Sequence, residues 1–191
     1  MSQTPSARLA AKASPLARLG VNRSRADRLN RKSAYPYDHS KGYSVANYIR
    51  PIALVVFTRE DGAILVAPGY DPVKQQRFYR PLGGGIDFME PAIEAARREI
   101  REELDADVTD LRLVATFENI FTYLGQPGHE LVWLYDGRFT DPAMYAQDVI
   151  VADESGAKFE VHWVPLDTFA DGIPLYPDGL LKILTDVRRR T

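Results

Sequence analysis

No cysteine occurs in the chain, which excludes disulfides, thiolate metal sites, iron–sulfur clusters and a cysteine nucleophile. Histidine is scarce too. His39, His129 and His162 stand far apart, a pattern unlike that of a histidine-rich metal cage. No apolar run approaches the ~18 residues a membrane-crossing helix needs, and no hydrophobic signal core opens the sequence. The expectation is a cytoplasmic protein without membrane contact. The composition is ordinary and globular, 45% hydrophobic and 26% charged over 191 residues. That is enough for one domain with its own core.

A net charge of −2 conceals an asymmetry. Up to Asn47 there are nine basic and two acidic residues, while the remainder holds fifteen basic and twenty-four acidic. Residues 1–47 are also rich in Ser and Ala and poor in large apolar side chains. They read as a flexible or loosely docked basic arm, and residues 48–191 as the folded domain. Four readings of the arm stay open: a solvated tail, a contact for RNA or another phosphate-rich partner, an organelle transit peptide, or a segment docking on the acidic domain or a second copy.

From about residue 49 the pattern alternates between strand and helix. Ile52 to Thr58 is nearly all apolar and β-branched, a buried strand. Glu60-Asp61-Gly62 reads as a hairpin turn, with Ala63 to Ala67 pairing back. Arg77 to Leu82 is a shorter extended piece, and a helix is expected from Pro91 to Leu104. Strands follow at Asp110–Phe121 and Glu130–Phe139, around a turn at Gln126-Pro127-Gly128, and again at Phe159–Val164. Residues 166–170 and 177–189 read as helical pieces. The sum is an α/β layered domain with a mixed β-sheet.

The chemistry concentrates in residues 81–108, PLGGGIDFMEPAIEAARREIREELDADV. At 100° per residue, Ile93, Ala96, Ile100 and Leu104 form a core-facing stripe, and Glu99, Glu102 and Glu103 share the adjoining face. Like charges at this spacing repel by about 0.2–0.5 kcal/mol per pair, and the helix C-terminus disfavours them further. Arg98 and Arg101 offset part of this. A hard divalent cation, which prefers oxygen ligands, offsets more. Three consecutive glycines, Gly83 to Gly85, fit a tight strand-to-helix turn or close approach of backbone to a ligand. Glu90 precedes Pro91 as a helix cap or a loop carboxylate. Taken alone, an Arg/Glu-rich helix is more often a plain solvated face.

Gly84, Glu90, Arg98, Glu99, Ile100, Glu102 and Glu103 match, at the right spacing, the pattern G-x5-E-x7-R-E-U-x-E-E-x-G-U, where U is a bulky aliphatic residue. The segment resembles the Nudix box. The resemblance implies a Nudix-type α/β/α sandwich with a mixed β-sheet over residues 48–191. It also implies a hydrolase that cleaves a phosphoanhydride in a nucleoside diphosphate linked to another group, with Mg²⁺ or Mn²⁺ as cofactor. By that resemblance Glu99, Glu102 and Glu103 carry the metal with the Gly83 carbonyl. Glu99, Glu103 and Arg98 are the catalytic set, Arg98 orienting the glutamates. Gly84 and Glu90 shape or support the loop. The general base is Glu99 or Glu103, or else a later acid, Glu154 or Glu160. Two positions depart from the pattern. Asp105 stands for the late Gly, at a point expected to need left-handed backbone, and Met89 stands where a Gly often precedes the first Glu.

Substrate choice is thinly encoded. Phe121 stands where ADP-ribose members tend to show Pro. Tyr123, seventeen residues after Ala106, weakly resembles dinucleoside polyphosphate members and is a candidate to stack on a base. Arg80, just before the glycines, is a candidate for phosphate. The rival readings are a nucleotide-sensing module with little turnover and an RNA-end processing pyrophosphohydrolase served by the basic arm. Many relatives form dimers, so a homodimer stays open.

Overall fold

A computed structural model describes residues 48–154 and 156–189; the basic arm, with the readings attached to it, lies outside the described residues. Among the described residues, eight strands build two four-stranded sheets. The first has β1 (Arg50–Phe57), β4 (Leu82–Gly85), β5 (Val108–Tyr123) and β6 (Gln126–Phe139) in the order β4-β1-β6-β5. β1 runs parallel to β6, and the other pairs are antiparallel, so the sheet is mixed. The second has β2 (Ala63–Asp71), β3 (Gln76–Arg80), β7 (Val149–Glu154) and β8 (Ala157–Pro165) in the order β3-β2-β8-β7, all antiparallel.

The unbroken apolar run of β1 follows from burial on both faces. Ala53, Val55 and Phe57 pack in one core with the helix α1 (Ala92–Leu104), through Ala95, Ala96, Ile100 and Leu104. Ile52, Leu54 and Val56 pack in a second core that includes Leu180 and Leu184 of the C-terminal helix, here α3 (Leu180–Arg188). A one-turn helix α2 (Ala143–Ala146) and a 3-10 turn (Leu166–Phe169) complete the elements among the described residues. The result is the expected α/β/α sandwich. No helix among the described residues is long and apolar enough to cross a membrane.

Local pairing departs from the sequence reading at three places. The turn before Gly62 forms, with Gly62 donating to the Arg59 carbonyl at 2.9 Å. Yet β2 does not fold back on β1, apart from one isolated bridge between Thr58 and Ile64. Both edges of β1 are taken by β4 and β6, so the turn instead carries the chain into the other sheet. The extended piece Arg77–Leu82 is broken at Pro81: β3 pairs with β2, and β4 pairs with β1. The β5–β6 hairpin turns at Leu124-Gly125, both in left-handed backbone (φ 52° and 77°), and Pro127 lies already within β6 opposite Thr122. Strand β7 was not expected at all.

Candidate active site

The glycine strand and the acidic helix meet because β4 pairs along the edge of β1 and α1 packs against both strands. Gly83 adopts φ 121°, and a Cβ there would lie 2.2 Å from the Ala53 carbonyl oxygen, so glycine is required sterically. Its amide donates to Glu103 Oε2 at 3.1 Å. A Cβ on Gly84 would come within 2.7 Å of the Glu99 carboxylate. The absence of side chains is what lets the helix carboxylates reach the strand.

Arg98 organises the remaining acids. Its Nε and Nη2 donate to the two carboxylate oxygens of Glu90, at 2.8 Å each, and Nη2 also donates to the Gly85 carbonyl at 2.8 Å. Nη1 donates to Glu99 at 2.6 Å and to Glu102 at 3.4 Å. The fork geometry of guanidinium is what permits this many partners. Glu90 is therefore a loop carboxylate, not the helix cap: it accepts the Asp87 amide at 3.0 Å, while Pro91 occupies the cap position without a side-chain hydrogen bond. Arg98 holds Glu90 below the usual carboxylate range, and the glutamates raise Arg98 further.

Glu103 differs from its neighbours. It is only 6% exposed. Burial pushes its carboxyl up to about 7, with Glu99 and Glu154 adding repulsion, while Arg80 and the Gly83 amide pull it back. Glu154 is thus within electrostatic reach of the box. It shares a strand face with Ala152, which packs in the α1 core. Glu160 is placed elsewhere: it pairs in register with the exposed Val151, is itself exposed, and lies 3.8 Å from His162.

Glu99 and Glu102 turn to Arg98, and Glu103 turns to Gly83, so no three acidic or imidazole groups among the described residues converge as a formed metal site. The donor set still suits a hard divalent cation. It is all carboxylate and carbonyl oxygen, and it contains a buried carboxylate destabilised by two others, which a cation relieves.

Beside the glycines opens a cleft of about 410 Å³. Gly83 and Gly84 border it at one end, and Arg80 and Tyr123 line it. Arg80 acts electrostatically on Glu103, Glu130 and Tyr123, which puts it at the junction between the box and the cleft. The β5–β6 hairpin forms one wall, with Asn119, Phe121, Tyr123 and Glu130. Asp71 ties this wall to the β2–β3 turn: its buried carboxylate accepts the amides of Val73 (2.9 Å), Lys74 (3.2 Å) and Leu124 (3.2 Å). Those amides hold its pKa below the ordinary value despite burial. The hairpin that carries Asn119 and Glu130 stands beside the cleft as its sequence suggests, but Asp71, Asn119 and Glu130 are not among the site residues expected from the sequence. A signal was available, because Glu130 breaks the inward alternation Glu130, Val132, Leu134, and Asn119 follows Phe117 in the same way.

Strand, glycine turn and acidic helix are laid across a mixed sheet as in an α/β/α hydrolase sandwich, and comparison with known families makes the class specific. The NUDIX domain model matches residues 49–182, and the chain belongs to that family. It is a Nudix-type hydrolase, of the class that acts on acid anhydrides. Among solved structures, a NUDIX hydrolase from Nitrosomonas europaea superposes with a TM-score of 0.54 at 15% identity, over 75% of this chain and 90% of the other. A MutT protein from Methanosarcina mazei Go1 gives 0.52 at 17% identity, over 77% and 98%. An Ap4A hydrolase from C. elegans gives 0.50 at 19% identity, over 75% and 100%. These likenesses establish the fold. No curated protein sequence matches the chain.

Proposed function

We propose that this protein is a divalent-metal-dependent nucleotide pyrophosphohydrolase, using Mg²⁺ or Mn²⁺ to cleave the phosphoanhydride of a nucleoside diphosphate linked to another group. The observation that carries this reading is the meeting of two features at Gly83 and Gly84: the Arg98-ordered glutamates and a cleft of nucleotide size. Glu99, Glu102 and Glu103, with the Gly83 carbonyl, would hold the cation. When bound, it supplies charge neutralisation on phosphoryl oxygens and lowers the pKa of an attacking water.

The chain's own residues do the rest. Arg98 holds Glu90, Glu99 and Glu102 in place and fixes the loop through the Gly85 carbonyl. Arg80 presents a cation where the cleft meets the box and neutralises substrate phosphate. Tyr123, edge-on to Phe78, offers an aromatic surface to the base. Glu99, Glu103 and Glu154 are the candidates to accept the proton of the attacking water, since Glu160 lies on the other strand face. The test is a phosphate-release screen over NTPs, ADP-ribose, nucleotide sugars and dinucleoside polyphosphates. Hydrolysis stopped by chelator and restored by Mg²⁺ is expected. Absence of hydrolysis across the panel, or activity indifferent to chelator, refutes the proposal.

A further inference from the structure

The cleft carries a row of polar residues to which the proposed phosphate chemistry gives no role. Three residues stand side by side across three strands. Arg50 on β1 is in register with Glu130 on β6, and Glu130 is in register with Asn119 on β5. All three line the cleft. Asn119 and Glu130 are 6% and 8% exposed. A carboxylate so deeply placed normally collects several donors. Among the described residues Glu130 has one direct hydrogen bond: Oε2 accepts the Asn119 Nδ2–H at 3.0 Å. Its Oε1 lies 3.8 Å from Arg50 Nη1, an ion pair beyond hydrogen-bond distance. A carboxylate has about four lone-pair sites, so acceptor capacity remains on the cleft side. Asn119 is pinned from both ends, since its Oδ1 accepts the Asp178 amide at 3.4 Å, and this fixes how Glu130 is presented. The floor beside the pair is apolar, formed by Ile52 and Leu54.

We propose that Glu130, oriented by Asn119, reads the base of the substrate and selects guanine. This rests on the nucleotide reading of the cleft. A planar carboxylate pairs bidentately with two adjacent N–H donors. Guanine presents such a pair on its Watson–Crick edge, N1–H beside the N2 amino group. Adenine and cytosine present one amino donor beside a ring acceptor, and uracil presents one N–H between two carbonyls. Against those bases a carboxylate leaves acceptor facing acceptor, and a buried polar group left unpaired is what rejects a wrong ligand. Both readers stand on paired strands, which hold such contacts more precisely than loops do.

The test is calorimetric binding of GDP, ADP, CDP and UDP to the full chain and to Glu130→Gln, with hydrolysis of GDP-linked and ADP-linked substrates followed in parallel. The wild type should bind GDP at least about tenfold more tightly than the other three, and Glu130→Gln should collapse that ratio. Equal affinities, preference for another base, no binding of any of the four, or a guanine preference that survives the substitution each overturns the inference. If the variant fails to fold, the wild-type ratios alone decide. Guanine preference without hydrolysis would refute the pyrophosphohydrolase and keep the base reader. Hydrolysis without base preference would do the reverse.

Discussion

Replacing Arg98 with alanine should destabilise the protein by about 2–4 kcal/mol at neutral pH. The guanidinium makes two bonds to Glu90 at 2.8 Å, one to Glu99 at 2.6 Å and one to the Gly85 carbonyl at 2.8 Å. Its removal strands two carboxylates whose side chains are 17% and 13% exposed. Breaking a buried pair from one side costs roughly 3–5 kcal/mol. Arg98 is itself a quarter exposed, so water screens part of this and the figure is reduced accordingly. Arg98→Lys keeps the charge but loses the fork, and about half the loss is expected. Urea denaturation across pH measures both. The sign is set by Glu90, whose pKa is lowered in the folded state. Its contribution is present above the unfolded value of ~4.3 and is lost as pH falls through the folded value. The gap between wild type and Arg98→Ala should therefore narrow below about pH 4. A loss under about 1 kcal/mol at pH 7, or a gap unchanged down to pH 3, refutes the reasoning.

Three further outcomes follow from the same geometry. Gly84→Ala places a Cβ 2.7 Å from the Glu99 carboxylate. Because the flexible end of Glu99 can yield, turnover should fall at least about tenfold while the melting temperature moves only a few degrees. Asp105→Gly should stabilise the protein by about 0.5–1 kcal/mol in urea denaturation, since this C-cap sits at φ 51°. Glu103→Gln should flatten the pH dependence of stability measured without metal. The Glu103 carboxyl is raised to about 7 when folded, so stability present below the unfolded value of ~4.3 is lost as pH rises towards 7. A neutral amide removes that loss, and identical pH profiles for wild type and variant would contradict the burial account.

The glycine loop and the helix were legible because helical periodicity fixes which side chains share a face. Ala96, Ile100 and Leu104 are buried as that periodicity requires, and Ile93 is partly buried against the same core. The departure at Asp105 was legible as a backbone demand, and its φ is 51°; Met89 also adopts left-handed φ, 66°, where the sequence carried no such expectation. The β5–β6 hairpin was legible as a pair, but the partners of β1 and β2 were not, because a turn of the right composition does not say whether its strands share a sheet. Strand β7 was missed since it is a short edge strand with Val149 and Val151 exposed. Glu154 and Glu160 are equally acidic in sequence, and only the β7–β8 register puts one towards the box and the other away. The Asn119–Glu130 pair needed a register that joins residues eleven apart across a hairpin.

In the proposed function the buried carboxylate of Glu103 serves phosphoanhydride cleavage at the mouth of the cleft. Steady-state turnover of wild type and Glu103→Gln, with Mg²⁺ saturating and folding verified by circular dichroism, tests it most directly. A folded variant with turnover reduced by about 10³-fold or more is expected. A folded variant turning over within a factor of a few of wild type would contradict it.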